Sequence, residues 1–317
     1  MSHVVCIGDC TWDTFIQIDS ATVKYGKKSH RPEWLCLNYA DKIAIEQTSQ
    51  SSGGNAGNVA VGLKRLGIST SLCTELGNDT PGKNILEQMK KQNIDTSLSK
   101  IHKNKKTRYS FVLTHKGERT ILSHFEKRTY SFPKQFSEPQ WIYYTSLGPS
   151  FENIQKHLLP YLKKHPQVRL ACNPGSYQLK NGLDTFKKIL PFTHLLFVNK
   201  EEAEVLTHSK GKLPDLGKKL LGLGVQTVVL TDGTLGSYAT NGKEYASFGI
   251  YEAPVVSKTG AGDAFASGFL AGVLKNKPMA ECILWGSANA ASVTQHLGAH
   301  TGLLSPSQLK KFIASHS

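Results

Sequence analysis

The spacing of apolar residues changes character partway along the chain. From about residue 140 onward, short apolar runs alternate with amphipathic stretches. The apolar runs predict strands at residues 141–145, 168–172, 194–198 and 227–231. The amphipathic stretches predict helices at residues 151–164, 181–190, 200–207, 214–223, 263–275 and 279–297. Regular alternation of strand and helix is typical of a mainly parallel sheet with helices on both faces.

The first part of the chain follows this alternation incompletely. An apolar strand at 4–7, a helix at 58–66, a strand at 71–76 and a helix at 82–92 fit it. The other segments have β-type alternation: 14–18, 35–39 and 42–45 around a basic loop at 24–32, and a hairpin that turns at 115–118. We therefore predict an α/β, Rossmann-like chain folded as one domain over residues 1–317. A small β-strand lid would be formed by about residues 14–48 and 107–126.

Composition excludes disordered and fibrous proteins. The hydrophobic fraction is 39%, or about 44% when Gly is counted and Tyr is not, close to ordinary globular domains. A net charge of +14 favours anionic partners, but no nucleic-acid-binding motif accompanies it, so we expect no nucleic-acid partner. No apolar run reaches the ~20 residues of a membrane span. With six scattered cysteines and no signal-peptide pattern, the sequence predicts a cytoplasmic protein with no membrane partner.

Residues 77–84 imitate a phosphate-binding P-loop. They match most of the G-x-x-x-x-G-K-[ST] pattern between a predicted strand and helix. However, Asn84 stands where a hydroxyl group must ligate Mg²⁺, and Pro81 removes one backbone N–H. We therefore predict a tight strand-to-helix turn here, without a phosphate site.

The strongest chemical signal is the run Thr259-Gly260-Ala261-Gly262-Asp263 at the start of a predicted helix. The glycines let backbone N–H groups approach an anion closely, and the helix dipole favours a phosphate at this point. Asp263 is either a capping carboxylate or a base that takes a proton from a hydroxyl group. Its position beside the glycines favours the base.

A second glycine cluster contains Gly53, Gly54, Asn55 and Asn58, again at a helix start. The two asparagine amides both donate and accept hydrogen bonds, which suits a polyhydroxylated ligand better than an anion. Asp13 follows the first strand, at the end of the sheet where α/β proteins bind ligands. Its carboxylate is able to accept two hydroxyl hydrogen bonds from a sugar.

Together these segments resemble the ribokinase-like (phosphofructokinase-B) family of carbohydrate and nucleoside kinases. The segment from Gly53 to Asn58 resembles the first signature of the family, and residues 259–265 resemble its more specific second signature. Residues 77–82 are similar to a further family element, which explains the imitation of a P-loop. The resemblance covers essentially the whole chain. It implies a lid over the sugar and ATP-dependent phosphorylation of a sugar-type hydroxyl.

The resemblance also implies roles for individual residues. Asp263 would be the base, and the N–H groups of Gly260, Ala261 and Gly262 would form the anion hole for the transferred phosphoryl group. The acceptor would be held by Asp13, Gly53, Gly54, Asn55 and Asn58. Glu202 would organise Mg²⁺ through water. The nucleotide-binding residues would be Asn199, Glu202, Thr231, Gly233, Gly236, Thr259 and Asn289.

One position departs from the family pattern. Family members usually carry an Asp two residues before the Thr of the second signature, where it helps to bind a monovalent cation. Here that residue is Ser257, and Lys258 follows it. Either the Lys258 ammonium replaces the cation and makes activity independent of K⁺, or it points into solvent.

The sequence leaves alternative functions open. A sugar kinase is the leading hypothesis, and a nucleoside kinase on the same scaffold is the nearest alternative. Trp34, Tyr39 and Phe111 in the lid would then stack on a base. A catalytically silent sugar- or nucleotide-binding protein is less favoured, because both the glycines and Asp263 are present.

The lid raises two further questions. Its charged residues Arg108, Glu118 and Arg119 either recognise a negatively charged acceptor such as a sugar phosphate or form a solvated face. Its exposed strands also allow pairing across a two-fold axis, which would give a homodimer through the lid, although an isolated lid fits equally well.

Overall fold

The computed structural model describes residues 3–25, 33–116, 118–133 and 136–316. Most of the basic loop predicted at 24–32, and Gly117 of the predicted hairpin turn, lie outside these ranges. The strands are β1 (His3–Ile7), β2 (Thr11–Gln17), β3 (Thr22–Lys24), β4 (Trp34–Cys36), β5 (Gln47–Gly53), β6 (Ser69–Cys73), β7 (Glu75–Gly77), β8 (Lys100–His102), β9 (Tyr109–His115), β10 (Glu118–His124), β11 (Trp141–Tyr144), β12 (Arg169–Cys172), β13 (Leu195–Asn199), β14 (Val228–Thr231), β15 (Ser237–Thr240) and β16 (Tyr245–Phe248). The helices are α1 (Asn55–Arg65), α2 (Thr80–Lys91), α3 (Glu152–Lys164), α4 (Ser176–Asn181), α5 (Leu183–Lys187), α6 (Lys200–Thr207), α7 (Leu213–Leu221), α8 (Ala261–Leu274), α9 (Met279–Thr294) and α10 (Pro306–Ser315).

The main sheet has the order β16-β15-β14-β13-β12-β11-β1-β6. Strands β6 to β14 along this order run parallel, and β15 and β16 add an antiparallel edge. All four residues of β11 are buried, as expected of a central strand covered on both faces. The predicted mainly parallel α/β sheet is confirmed.

Two cores lie on opposite faces of the main sheet. Successive residues of β1 alternate between them, because side chains of a strand point to opposite faces. Val4 and Cys6 pack with helices α1, α8 and α9, whereas Val5 and Ile7 pack with α3 to α7. Helices α8 and α9 pack very closely, since a Cβ added at Gly268 would lie 2.6 Å from the carbonyl oxygen of Trp285. The small residues of α8 therefore serve helix packing.

A separate four-stranded sheet has the order β10-β9-β2-β5, and we call it the small sheet. It joins the two early stretches predicted to pair with each other, since β2 runs parallel to β9 with Trp12 opposite Tyr109. Its outer strand β5 was missed because Gln47–Gly53 is polar and shows no apolar alternation. The outer strands are β10 and β5, and their pairing with a second copy stays a prediction.

Three other sequence expectations were wrong. In place of the single helix predicted at 181–190, α4 ends at Asn181 and α5 covers Leu183–Lys187. The break is at Gly182, where a Cβ would lie 2.3 Å from the ring of Phe151. Residues 42–45 contain no strand. The predicted strand at 71–76 is two strands, β6 and β7, which belong to different sheets. Strands β15 and β16 and helix α10 were not predicted, because their short or weakly patterned segments carry little local signal.

The turn predicted in place of a P-loop is confirmed. Asp79 caps α2 by accepting a hydrogen bond from the N–H of Gly82 at 3.1 Å. Its second oxygen accepts one from the N–H of Thr107 at 2.9 Å. The side chain of Asp79 therefore connects the start of α2 to the residues that lead into β9.

The cysteines are all free thiols. Burial raises the pKa of Cys10 to about 12 and that of Cys172 to about 12, so both stay protonated and unreactive near neutral pH. Among the described residues, no helix combines the length and the apolar character needed to cross a bilayer.

Candidate active site

Several of the predicted site residues come from distant segments and meet at the carboxyl edge of the main sheet. Asn199 and Thr231 are register partners at the ends of β13 and β14. Asn55, the first residue of α1, donates a hydrogen bond from Nδ2 to Oδ1 of Asn173, which follows β12, at 3.4 Å. This edge is where open α/β sheets bind ligands, and the amino-terminal end of α8 lies beside it through the Asn58–Asp263 contact described below.

The glycine-rich turn before α8, residues 259–262, forms a concave run of backbone that we call the nest. Gly260 has φ of 78°, and a Cβ there would lie 2.5 Å from Cβ of Ala299, so only glycine fits. A Cβ added at Gly262 would meet nothing within 4 Å, which leaves open space over the first turn. The N–H of Ala261 donates to the carbonyl of Lys258 at 3.4 Å, and the first N–H groups of a helix otherwise lack intrahelical partners. This first turn is therefore a candidate site for an anion.

Asp263 lies in the first turn of α8 and is only 8% exposed. Its Oδ2 accepts a hydrogen bond from Nδ2 of Asn58 at 2.8 Å. Burial raises the pKa of Asp263 to about 7, while Asn58 and the guanidinium of Arg119 oppose the rise. A carboxylate with this pKa is able to accept a proton near neutral pH.

Both polar atoms of the Asn58 side-chain amide form hydrogen bonds. Its Nδ2 donates to Asp263 at 2.8 Å, and its Oδ1 lies 2.9 Å from Nε2 of His300. The amide predicted to hold the acceptor therefore holds the candidate base, and direct contact with the acceptor stays a prediction. His300 was not singled out from the sequence; the available signal was a histidine directly after Gly298-Ala299.

Glu202 is fixed by reciprocal capping of α6. Its N–H donates to Oδ1 of Asn199 at 2.8 Å, and its Oε2 accepts from the N–H of Asn199 at 2.9 Å. Burial raises the pKa of Glu202 to about 7, and the nearby charges of Glu201 and Asp263 add to this rise. Buried carboxylates that repel one another favour a cation beside them.

The donor set fits Mg²⁺ held largely through water. No cluster of three or more His, Cys, Asp or Glu side chains within the described ranges is placed to bind a metal directly. A single carboxylate such as Glu202 beside a phosphate site suits Mg²⁺, which keeps several of its waters.

The loop after β14 carries three of the predicted nucleotide contacts. Thr231 ends the strand, and Gly233 and Gly236 have φ of 54° and 94°. A Cβ at Gly236 would lie 2.2 Å from the carbonyl oxygen of Phe248. An ion pair of 3.2 Å between Lys200 and Asp232 joins this loop to the start of α6. The loop is therefore held beside Asn199 and Glu202.

Asn289 is placed differently from the other predicted nucleotide contacts. Its side chain is fully buried. Its Nδ2 donates to the carbonyl of Ala264 at 2.9 Å, and its Oδ1 accepts from the N–H of Leu304 at 3.0 Å. These bonds join α9 to α8 and to the segment before α10. A nucleotide contact by this side chain stays a prediction that these bonds do not favour.

Thr259 and Ser257 form a buried hydroxyl pair before the nest. The N–H of Thr259 donates to Oγ of Ser257 at 3.2 Å, and Ser257 donates from Oγ to Oγ1 of Thr259 at 3.1 Å. Lys258 points outward to Glu118 on β10 at 2.6 Å. Its ammonium is therefore ion-paired on an exposed surface, and independence from K⁺ stays a prediction.

Asp13 is opposite Ser51 in the pairing of β2 with β5, and its carboxylate reaches diagonally to Gly53. A Cβ at Gly53 would lie 2.0 Å from Oδ2 of Asp13. Gly54 has φ of 86°, and a Cβ there would lie 2.5 Å from the carbonyl oxygen of Asp9. Gly54 is therefore required by backbone packing and a positive φ, whereas a side chain at residue 53 would displace the Asp13 carboxylate. Oδ1 of Asp13 is buried without a hydrogen-bond partner among the described residues, as expected of a carboxylate that receives a ligand hydroxyl.

The carboxylate of Asp9, unlike that of Asp13, is already engaged by neighbouring side chains. It accepts from Arg108 at 2.8 Å and from the hydroxyl of Tyr130 at 2.9 Å. Of the two aspartates that follow the first strand, only Asp13 keeps an unpartnered oxygen.

The small sheet presents one face toward the nest. Asp13 is opposite Ser110, and Thr114 is opposite Arg119. Residues an even number apart share a face, so Asp13 and Arg119 lie on the same side. Phe111, one residue along from Ser110, lies on the other side. The guanidinium of Arg119 lowers the pKa of Asp263, so the charge on the shared face acts on the candidate base.

Comparison with known proteins identifies the family. The model of the pfkB family carbohydrate kinases matches residues 1–306, and the chain belongs to this family. It is a kinase, and both sugar and nucleoside kinases occur among its relatives.

Three similar proteins illustrate this range. The ATP-dependent 6-phosphofructokinase of Thermoanaerobacterium thermosaccharolyticum is 26% identical over 295 residues, covering 84% of this chain and 86% of the relative. The nucleoside kinase of Methanocaldococcus jannaschii is 25% identical over 319 residues, covering 96% and 94%. The structure of Arabidopsis thaliana ribokinase with ribose and ATP has a TM-score of 0.77 at 20% identity, covering 98% of both chains. This structural likeness confirms the ribokinase-like fold.

Proposed function

We propose that this kinase transfers the γ-phosphoryl group of ATP to a hydroxyl group of a sugar, with Asp263 as the base. The observation that carries the proposal is the buried Asp263 carboxylate, with a pKa of about 7, beside the open nest at Gly262. The carboxylate takes the proton of the attacking hydroxyl, while the backbone donors of Gly260, Ala261 and Gly262 stabilise charge on the transferred phosphoryl group.

The nucleotide side is built from the ends of β13 and β14. Mg²⁺, when bound, neutralises charge on the phosphates of ATP, and Glu202 would orient its water ligands. The capping contacts between Asn199 and Glu202 keep that carboxylate in place. The other residues proposed on this side are Thr231, Gly233, Gly236, Thr259 and, with less support from its buried contacts, Asn289.

The acceptor side lies between the small sheet and α1. The unpartnered oxygen of Asp13 is the proposed hydroxyl acceptor, and Gly53, Gly54 and Asn55 complete the wall. In this proposal the small sheet acts as a lid that excludes water from the reacting groups. The pairing of Lys258 with Glu118 supports such a docked position.

A nucleoside is the second candidate acceptor. The relative from Methanocaldococcus jannaschii is named a nucleoside kinase and matches 96% of this chain. Among the aromatic residues proposed to stack on a base, Phe111 lies on the face of the small sheet turned away from Asp13. Trp34 and Tyr39 are 49% and 100% exposed. These positions favour a sugar over a stacked base.

The test is a screen of ATP consumption over pentoses, hexoses, sugar phosphates and nucleosides. We expect a sugar or sugar phosphate to give the fastest turnover. With that acceptor, Asp263→Asn is expected to lower kcat by about 10²–10⁴-fold while ATP binding, measured by calorimetry, changes little. Near wild-type activity of the variant would overturn the assignment of the base. Fastest turnover with a nucleoside would favour the second candidate, and a silent binding protein would show binding without turnover of any acceptor.

A further inference from the structure

A chain of hydrogen bonds leads from the candidate base to a histidine outside the family signatures. Oδ2 of Asp263 and Nδ2 of Asn58 are 2.8 Å apart, and Oδ1 of Asn58 and Nε2 of His300 are 2.9 Å apart. Asn58 is 6% exposed and Asp263 is 8% exposed. The three side chains come from α1, α8 and the segment after α9, separated by 205 and 242 positions in sequence.

The direction of each hydrogen bond follows from chemistry. An ionised carboxylate only accepts, so Asn58 must turn its NH₂ group toward Asp263. Its carbonyl oxygen then faces His300, and an oxygen requires a donor. His300 must therefore carry its proton on Nε2. Desolvation and the nearby Arg65 guanidinium lower the pKa of His300 to about 4, so the ring is neutral and holds a single N–H.

The surrounding contacts keep this histidine in place. Arg65, at the end of α1, donates to the carbonyl of Leu303 at 3.1 Å. Asn289 accepts from the N–H of Leu304 at 3.0 Å. The segment that carries His300 is therefore fastened to α1 and to α9. Gly260 and Ala299 also pack so closely that only glycine fits at residue 260, which fixes the segment against the nest.

We infer that His300 is a positioning residue that, through Asn58, orients the Asp263 carboxylate and favours its ionised form. This inference rests on the proposed role of Asp263 as the base. Without the histidine donor, the Asn58 amide is free to rotate or to turn its oxygen toward the carboxylate. The carboxylate then loses a hydrogen bond to its charged form, which raises its pKa.

Other charged groups also face the two ends of the chain of hydrogen bonds. Arg119 from β10 lowers the pKa of Asp263. Glu202 from α6 and the neutral hydroxyl of Tyr143 from β11 also lie within electrostatic range of it. Arg65 from α1 acts on His300. All four stay unchanged in the variants below, so a difference between variants reports on His300.

The test measures the ionisation of Asp263 directly by NMR, with ¹³C-labelled aspartate carboxyl groups in the full chain and no ligand added. The Asp263 signal is assigned by its loss in Asp263→Asn. We expect His300→Ala to move the midpoint of titration upward by about one pH unit. His300→Gln, whose amide can donate in place of Nε2, is expected to stay near the wild-type midpoint.

His296 provides the matched control. It lies four residues earlier and makes no side-chain hydrogen bond within the part of the chain that the structure describes. His296→Ala is expected to leave the midpoint unchanged. Thermal unfolding of each variant shows whether it is folded, and if His300→Ala is not, His300→Leu replaces it.

An unchanged midpoint in the folded variant that lacks the donor would overturn the inference, as would a shift of equal size in His300→Gln. Because the titration needs no turnover, the two proposals fail separately. A shifted midpoint together with a fully active Asp263→Asn would overturn only the role of Asp263 as the base. An inactive Asp263→Asn together with an unshifted midpoint would overturn only the role of His300.

Discussion

The ammonium of Lys258 lies 2.6 Å from the carboxylate of Glu118, which joins the segment before the nest to the outer strand of the small sheet. The two side chains are 51% and 70% exposed, so the pair contributes little to global stability. Its structural consequence is local. It holds the edge of the small sheet beside the turn that contains Thr259. Within that turn, the buried hydroxyl of Ser257 accepts a hydrogen bond from the N–H of Thr259.

The first prediction concerns monovalent cations. Ser257 provides a neutral hydroxyl where family members usually have a carboxylate, and Lys258 is paired with Glu118, so the turn has no anionic group for K⁺. We expect the same rate in KCl and in choline chloride at equal ionic strength. Strong activation specific to K⁺ would contradict this prediction.

Breaking the ion pair should alter substrate binding more than stability. For Lys258→Ala or Glu118→Ala we expect KM of the acceptor to rise a few-fold and the melting temperature to change little, because exposed pairs contribute about 0–1 kcal/mol. Lys91 and Glu87 form a similar exposed pair at 2.7 Å on α2, so Lys91→Ala serves as the control. Equal kinetics in the Lys91 and Lys258 variants would show that the docking contact has no role.

Asp263 should reduce the stability of the folded chain at alkaline pH. Its pKa rises from 3.8 unfolded to about 7 folded, so the folded state retains a proton that the unfolded state has lost. Stability therefore falls as pH rises from about 4 to 7, and the full cost remains above pH 7. Asp263→Asn is expected to stabilise the chain at pH 8 by on the order of 2–4 kcal/mol, and much less near pH 4.

Urea unfolding at both pH values checks this effect. The exposed Asp184 provides a matched substitution, Asp184→Asn, that should not produce the same difference between the two pH values. An Asp263→Asn variant less stable than the wild type at pH 8 would rule out the proposed cost of burying this carboxylate.

Glu202 should control the requirement for Mg²⁺. Glu202→Gln keeps an oxygen that can cap the N–H of Asn199 but removes the charge, so the helix is expected to remain folded. The free Mg²⁺ concentration for half-maximal rate should rise about tenfold or more. Asp215→Asn, which removes an exposed carboxylate at the start of α7, should leave the Mg²⁺ dependence unchanged, and a similar response of both variants would contradict the proposed role.

Arg119, on the small sheet, should control the pKa of the candidate base Asp263. Its guanidinium lowers the pKa of Asp263, so Arg119→Met should move the acid limb of the kcat/KM profile upward by about one pH unit. Arg119→Lys should retain most of the wild-type profile because it keeps the charge. Lys116→Met tests the loss of a charge elsewhere on the same hairpin. A profile that is identical in Arg119→Met and wild type would exclude an electrostatic action on the base.

The sequence by itself determined the fold class and predicted the glycine-rich turn at the start of α8. Apolar runs alternating with amphipathic stretches require strands buried between helices, and this pattern is local enough to read directly. The run from Thr259 to Asp263 likewise carries its own geometry, because Gly260 adopts a positive φ that other residues avoid. The polar strand β5 and the break at Gly182 escaped prediction because pairing with β2 and contact with Phe151 decide them.

Only the tertiary structure decided which partners the polar side chains have. Asn58 and Asp263 are 205 positions apart, and no local pattern indicates that one amide joins the base to His300. The same limit applies to Asn289, whose side-chain amide forms hydrogen bonds that join α9 to α8 and to Leu304. It also applies to Lys258, which pairs with Glu118, 140 positions away in sequence. Sequence spacing specifies residues along one element, whereas contacts between elements depend on how several elements pack together.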